Sequence, residues 1–279
     1  HGLDIENPEP NCFGEKLTKA VEDGLVSPHV VDNAVRRILR TLFRFLCAED
    51  PQSYEDSLIG CVEHAAIARE VAEKGMVLLK NDGGLLPLLK QEINQLAVIG
   101  SLADMENTGD HGSSWVRPPY AITPLVGLKN YLGDSAEVLF DDATDLASAV
   151  RTASSADAVV VVAGYTHLHE GEYIPDSQFG AVGGDRSSLS LLDDDVTLIE
   201  AVSRANPNTI VVIVGGSAVT TEEWRDRVPS ILMAWYSGME GGTALARILF
   251  GEVNPSGKLP CVFPKSEDQL PFFDKDADE

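Results

Sequence analysis

Five short apolar runs rich in Val and Ile, most of them followed by a segment of helical length, constrain the fold of this 279-residue chain more than any other feature. They are LAVIG (96–100), AEVLF (136–140), DAVVVVAG (157–164), TIVVIVG (209–215) and SILMAW (230–235). A continuous branched run has no polar face, so it suits a strand covered on both sides, as in a parallel sheet between helices. The segments 145–155, 193–205 and 239–250 have helical length and apolar spacing. The alternation predicts an α/β fold built on a mainly parallel, doubly wound sheet. The final GKLPCVF (257–263) reads as an edge strand, because Pro260 cannot donate to a ladder. Cys261 within it reads as a small buried hydrophobe.

Ahead of the first run the pattern differs. Residues 15–47 carry helical apolar spacing interrupted at GLVSPH, where Ser27 supplies an N-cap and Pro28 a first-turn proline. Two helices with an apolar face each, and no strand beside them, read as the end of another domain. The polar, proline-containing stretch AEDPQSYEDSL separates them from the sheet. The expected division is 1–48, a linker at 49–60, and a sheet domain at 61–279.

Charge and cysteine usage exclude several functions. The net charge of −23, from 44 acidic against 21 basic residues, opposes nucleic acid or an anionic membrane as partner and fits a neutral ligand. No apolar run approaches the roughly 20 residues needed to cross a bilayer. The opening HGLDIENPEP lacks the order of a signal peptide. A soluble chain is expected, and its compartment, cytoplasmic, periplasmic or secreted, stays open. The four cysteines, Cys12, Cys47, Cys61 and Cys261, show no zinc-type spacing, so no metal is expected.

In an open α/β sheet, ligands sit beyond the carboxyl ends of the strands. The loop after LAVIG has SLAD where a dinucleotide fold would have GxGxxG, so no nucleotide cofactor is expected. It goes on to Asp110, His111, Gly112, Ser113, Ser114 and Trp115. Small residues let a backbone approach a ligand, and an exposed Trp offers an apolar platform to a sugar face. The loop after DAVVVVAG gathers His167, His169, Glu170, Glu172, Asp176, Asp185 and Arg186 into about twenty residues without evident secondary structure. Glu170 and Glu172 flank Gly171, and both carboxylates are expected to project into a cleft where one serves as a general acid. Asp185 with Arg186 reads as an architectural ion pair at a helix entrance.

Eight separated segments together resemble the landmarks of glycoside hydrolase family 3, in that family's order. They are HGLDIENPEP; HAAIAREVAEKGMVLLKNDGGLLPL; LAVIGSLAD; GDHGSSWV with TPLVGL; VVVVAG; EGE followed by GDRSSLSL; ILMAWYSGMEGG; and LFGEVNPSGKLPCVFPKS. The resemblance implies a (β/α)8-type barrel followed by a six-stranded α/β sandwich, with the sugar held between them. Residues 1–48 would then be the C-terminal tail of the barrel domain and 61–279 the sandwich.

The implied activity is that of an exo-acting retaining β-glycosidase. It resembles a β-glucosidase that removes terminal non-reducing β-D-glucosyl residues from a β-linked oligosaccharide or glucoside. A β-xylosidase of the same family and a non-catalytic carbohydrate-binding module are the alternatives. The family's nucleophile is an Asp in an SDW-type motif upstream of GLDxExP, and no such motif occurs here. An upstream barrel would have to supply it, and the isolated chain is expected to be inactive. The family's GE step matches Gly171 and Glu172, which makes Glu172 the acid/base candidate with Glu170 as fallback. Trp115 falls where relatives with an aromatic on this loop stack an outer sugar, and Asp110, His111 and Ser114 beside it are the other substrate-binding candidates. His64 and Glu240 match landmarks read as helix packing and capping.

Overall fold

The computed structural model describes residues 3–7, 9–46, 55–109, 111–177, 180–184 and 186–271. The chain divides into two compact units, residues 1–56 and 57–279.

In the first unit, helix α1 spans Glu15–Glu22 and α2 spans Pro28–Leu46. Ser27 Oγ accepts the His29 N–H at 3.3 Å, which starts α2 where the Ser-Pro pair predicts. The segment before α1 is tied down by its two acidic residues. Asp4 receives Nε and Nη2 of Arg37, at 2.7 and 2.5 Å. Glu6 accepts the backbone N–H of Cys12 and of Phe13, the latter at 2.6 Å. The Arg37 bond holds the Asp4 carboxyl below its ordinary value, and the Phe13 N–H does the same for Glu6. No residue of α1 or α2 is buried, and Val30, Val35, Leu39 and Leu42 along α2 remain exposed.

In the second unit, α3 (Val62–Gly75) leads into β1 (Val77–Asn81), followed by β2 (Gln95–Ile99), α4 (Pro124–Leu132), β3 (Glu137–Asp141), α5 (Leu146–Ser155) and β4 (Ala158–Gly164). Then come α6 (His167–Glu170), β5 (Ile174–Ser177), β6 (Gly180–Val182), α7 (Asp193–Ala205), β7 (Thr209–Val214), β8 (Ser230–Met233) and α8 (Gly241–Leu249). Six strands form one sheet in the order β1-β8-β7-β4-β2-β3, all parallel except β1, which runs antiparallel to β8.

The branched runs behave as their composition requires. Alternate residues of the strands feed two apolar cores. Leu96, Val98, Val160, Val162, Ile210, Val212 and Leu232 pack with α4 and α8 on one face. Ala97, Ile99, Val159, Val161, Val211, Ile213 and Met233 pack with α5 and α7 on the other. Each such aliphatic side chain contributes about 1.5–3 kcal/mol when fully buried, so losing either layer of helices would unfold the sheet. Two glycines bring α4 and α8 together: a Cβ at Gly127 would overlap the Gly242 carbonyl, and one at Gly242 would overlap the Thr123 carbonyl.

The sixth strand is β1, at the edge of the sheet, and not GKLPCVF. Residues 257–263 form no strand; Leu259 and Phe263 instead turn onto the α5/α7 core, and Phe263 meets Trp235 edge-on at 6.1 Å. This docking leaves Cys261 exposed, against the expectation that it is buried. Cys61 is a free thiol, and Cys47 lies outside the described residues. Along β1 the register slips between Leu78 and Lys80, and Lys80 Nζ turns inward to donate to the Arg225 carbonyl at 2.6 Å.

Because β2, β4, β7 and β8 are parallel, the loops at their carboxyl ends share one rim. The chain passes from β2 outward to β3 and back across to β4, so β2 and β4 flank the switch point where such sheets open a crevice. Gly164, at the end of β4, has φ +138° and sits so close to the Val214 carbonyl that a Cβ would overlap it. Only glycine lets β4 leave the sheet at that angle.

Candidate active site

The loop after β4 is more ordered than its sequence suggests. It contains one turn of helix, α6, and the two-stranded antiparallel hairpin β5–β6. Thr166 caps α6: its hydroxyl accepts the Leu168 N–H at 3.2 Å, while His169 Nδ1 accepts the Thr166 N–H at 3.1 Å. That turn points Glu170 inward and leaves Glu172 outward, so the two carboxylates do not share a cleft.

Glu170 is spent on internal partners. Its Oε1 accepts the Tyr236 hydroxyl at 2.6 Å and the backbone N–H of Gly216, and its Oε2 lies 3.1 Å from Arg186 Nε. The side chains of this ion pair are 10 % and 8 % exposed, respectively. Arg186 lies over the Tyr165 ring, 4.3 Å from its centroid, and its Nη2 donates to Ser217 Oγ and to the Ala218 carbonyl. Burial, then the bond to Glu170, pushes the Tyr236 hydroxyl far above its ordinary value, so it stays a donor. Arg186 thus pairs with Glu170, while the ion pair expected between Asp185 and Arg186 falls on Asp185, which lies outside the described residues.

Glu172 follows two residues later and is exposed. Gly171 between them cannot carry a side chain, since a Cβ would come within 2.5 Å of the His167 carbonyl. Its own carbonyl accepts the Gly184 N–H at 2.7 Å, which closes the base of the hairpin. From that base the Glu172 carboxylate reaches the loop after β2 and accepts the backbone N–H of Ser113. The same two loops meet through aromatic rings. His167 stacks on His111 at 3.7 Å, His111 stacks on Trp115 at 4.8 Å, and the Arg117 guanidinium caps Trp115 at 4.1 Å. Trp115 remains 43 % exposed. Its N–H donates to the Gly112 carbonyl at 3.1 Å, a turn that places exposed Ser114 beside the platform.

Of the residues singled out from sequence, Glu172, His111, Ser114 and Trp115 therefore come together, and Glu170 turns away from them. Asp110 lies outside the described residues. Sequence reasoning missed Tyr236, Tyr165 and the tie between Arg186 and Glu170, because Tyr236 lies 66 residues from Glu170 and leaves no local pattern with it. It also misread two landmarks. Glu240 stands at the N-terminus of α8 without capping it by its side chain, and instead accepts the Tyr120 hydroxyl at 2.6 Å, which fixes the strand of loop that follows Trp115. His64 is exposed on α3 instead of packed.

A third carboxylate closes the end of β4. Asp195, in the first turn of α7, accepts the Gly164 N–H at 2.9 Å. Burial pushes its carboxyl up to about 6, against the opposing Gly164 N–H and with a further push from Asp194. It lines a crevice of about 430 Å³ together with Ser101, Asp142 and Asp194. Among the described residues, no group of three His, Cys, Asp or Glu side chains is placed to hold a metal ion, and no helix is long and apolar enough to cross a membrane.

Comparison with known proteins supplies the family. Residues 76–279 match the model of the glycosyl hydrolase family 3 C-terminal domain. A β-xylosidase of Formosa agariphila is 35% identical over 257 residues, covering 86% of this chain and 34% of its own length. The thermostable β-glucosidase B of Acetivibrio thermocellus is 34% identical over 285 residues, covering 98% of this chain and 35% of its own length. The chain thus spans about a third of the length of these curated relatives. Among solved structures, the family 3 β-glucosidase of Bifidobacterium adolescentis superposes with a TM-score of 0.80 at 29% identity, over 96% of this chain and 38% of that one. With its mainly parallel six-stranded sheet, its two covered faces and a family match over most of its length, the chain belongs to glycoside hydrolase family 3.

Proposed function

We propose that this chain forms the sugar-facing, acid/base-bearing part of a retaining β-glycosidase acting on terminal non-reducing β-D-glucosyl residues. The observation that carries the reading is the meeting of the exposed Glu172 carboxylate with the His167–His111–Trp115 stack at the switch point of the sheet. An aromatic face suits the apolar face of a pyranose, and a carboxyl beside it can protonate a glycosidic oxygen. In this reading Trp115, Ser114, His111 and Asp110 bind the sugar. Glu172 protonates the leaving oxygen and later takes a proton from the attacking water, while a second carboxylate about 5–5.5 Å away forms the glycosyl-enzyme. That nucleophile is assigned to the part of the longer relatives outside the match, with residues 1–48 the tail of the barrel domain that carries it. The isolated chain is then inactive. The identity to the Formosa agariphila protein favours β-xylosides as a second substrate class.

The test uses the complete protein that contains this chain. Glu172→Ala should lower hydrolysis of cellobiose-like substrates about 10²–10⁴-fold, while the first step on an aryl glucoside with a good leaving group persists. Azide, an anion that needs no deprotonation, should then restore turnover by attacking the glycosyl-enzyme. Rescue of Glu170→Ala in place of Glu172→Ala would move the acid/base by two residues, and rescue of neither would place it outside this loop. The ratio of kcat/KM for aryl β-glucoside and aryl β-xyloside decides the sugar.

A further inference from the structure

From the buried cluster beneath the hairpin we infer that Glu170 is a positioning residue for Glu172, held by Tyr236, Arg186 and Gly216. The inference rests on the acid/base reading of Glu172. Both Glu170 oxygens already carry donors, from three separate stretches of chain: Tyr236 after β8, Gly216 after β7, and Arg186 at the far end of the same loop. Glu170 ends α6, and only Gly171 separates it from Glu172. Gly171 is tied on both sides: its N–H donates to the His167 carbonyl at 3.0 Å, and its carbonyl accepts the Gly184 N–H at 2.7 Å. A Cβ at Gly183 would likewise overlap the Glu172 carbonyl, so the other side of the hairpin base is also closely packed. A shift at Glu170 is therefore passed along this hydrogen-bonded backbone to the position from which the Glu172 side chain starts.

The glycines at 215 and 216 fit the same role. A Cβ at Gly216 would stand a tight 3.3 Å from Glu170 Oε1, and one at Gly215 would be in ordinary contact with it at 3.4 Å, so the carboxylate lies directly against the chain after β7. Arg186 closes the loop onto its own start and so fixes both ends of the hairpin that carries Glu172 at its base. A misplacement of about 1 Å at a proton-transfer group costs on the order of 10²-fold in rate. A general acid is needed most for a poor leaving group.

The experiment is Tyr236→Phe in the complete enzyme, with Glu172→Ala alongside. A series of aryl β-glucosides of rising leaving-group pKa gives kcat/KM, and active sites are counted from the burst of the best leaving group. Tyr236→Phe removes one donor and keeps the ring, Arg186 and Gly216, so the chain should fold. We expect its loss to grow from under about 3-fold for the best leaving group to about 10–100-fold for the poorest, in the same direction as Glu172→Ala and smaller. A loss equal for every leaving group, or explained by fewer active sites, overturns the inference and leaves the cluster a purely structural anchor. If Glu172→Ala shows the graded loss and Tyr236→Phe does not, positioning alone fails. If Glu172→Ala shows no grading, the acid/base reading fails and this inference falls with it.

Discussion

Replacing Asp195 with Asn isolates the cost of a buried charge at the end of β4. The carboxyl titrates at about 6 in the folded chain against an ordinary value of 3.8. In the folded state it therefore binds its proton more tightly than in the unfolded state. Stability attached to this group is present below about pH 4 and is lost as the pH rises through about 6. The difference of roughly two pKa units corresponds to about 3 kcal/mol at neutral pH. The open crevice beside Asp195 lets solvent relieve part of that, so about 1–3 kcal/mol is expected. Asn keeps the geometry, because its carbonyl oxygen can accept the Gly164 N–H in place of the carboxylate. It gives up a negative charge in the first turn of α7, worth about 0.3–1 kcal/mol in the opposite sense. Urea unfolding of both proteins at intervals from pH 4.5 to pH 8 should show Asp195→Asn gaining stability over the parent as the pH rises, with a plateau above about pH 7. Carboxylates whose bonds to backbone N–H groups depress their titration, such as Asp157 with Gln95 and Asn94, behave alike in both proteins and cancel in the difference. A difference that does not vary with pH, or a variant less stable than the parent at pH 8, would refute the reasoning.

Two further substitutions probe the binding surface and the frame. Trp115→Ala in the complete enzyme removes a stacking face worth about 0.5–1.5 kcal/mol, so KM for a cello-oligosaccharide should rise about 2- to 12-fold, read by initial rates; no rise would remove the ring from substrate binding. Gly242→Ala forces a methyl into the Thr123 carbonyl and should lower stability by about 1–3 kcal/mol or more by urea unfolding. Gly75→Ala, with open space around its Cβ position, should change it little.

The parts of the fold that were legible are those whose burial is one-sided in sequence. DAVVVVAG and TIVVIVG could only be strands enclosed on both faces, and β4 and β7 are buried along their whole length. GKLPCVF is also largely apolar but docks through Leu259 and Phe263 without pairing. Apolar content alone does not distinguish a strand from a segment pinned by two side chains. The loop after β4 stood out by its residue types and not by its shape. Glu172 and Trp115 stood out by type and by place after a strand, whereas the seat of Glu170 depends on Tyr236 and Arg186, which only the tertiary fold brings to it. Polar networks of that kind have no periodicity to read.

The slipped register of β1 has a bearing on how copies of the sheet meet one another. Each open flank of a sheet offers unpaired N–H and C=O groups to a neighbouring chain unless something spoils the fit. At β1 the irregularity between Leu78 and Lys80 breaks the even spacing that a second ladder needs. At the opposite flank, β3 begins with Glu137 and ends with Asp141. Two β3 strands aligned antiparallel about Leu139 would set Glu137 of each copy against Asp141 of the other, like charges at both ends of a five-residue ladder. Sheet-to-sheet polymerisation is thereby disfavoured at both flanks, by geometry on one side and by charge on the other.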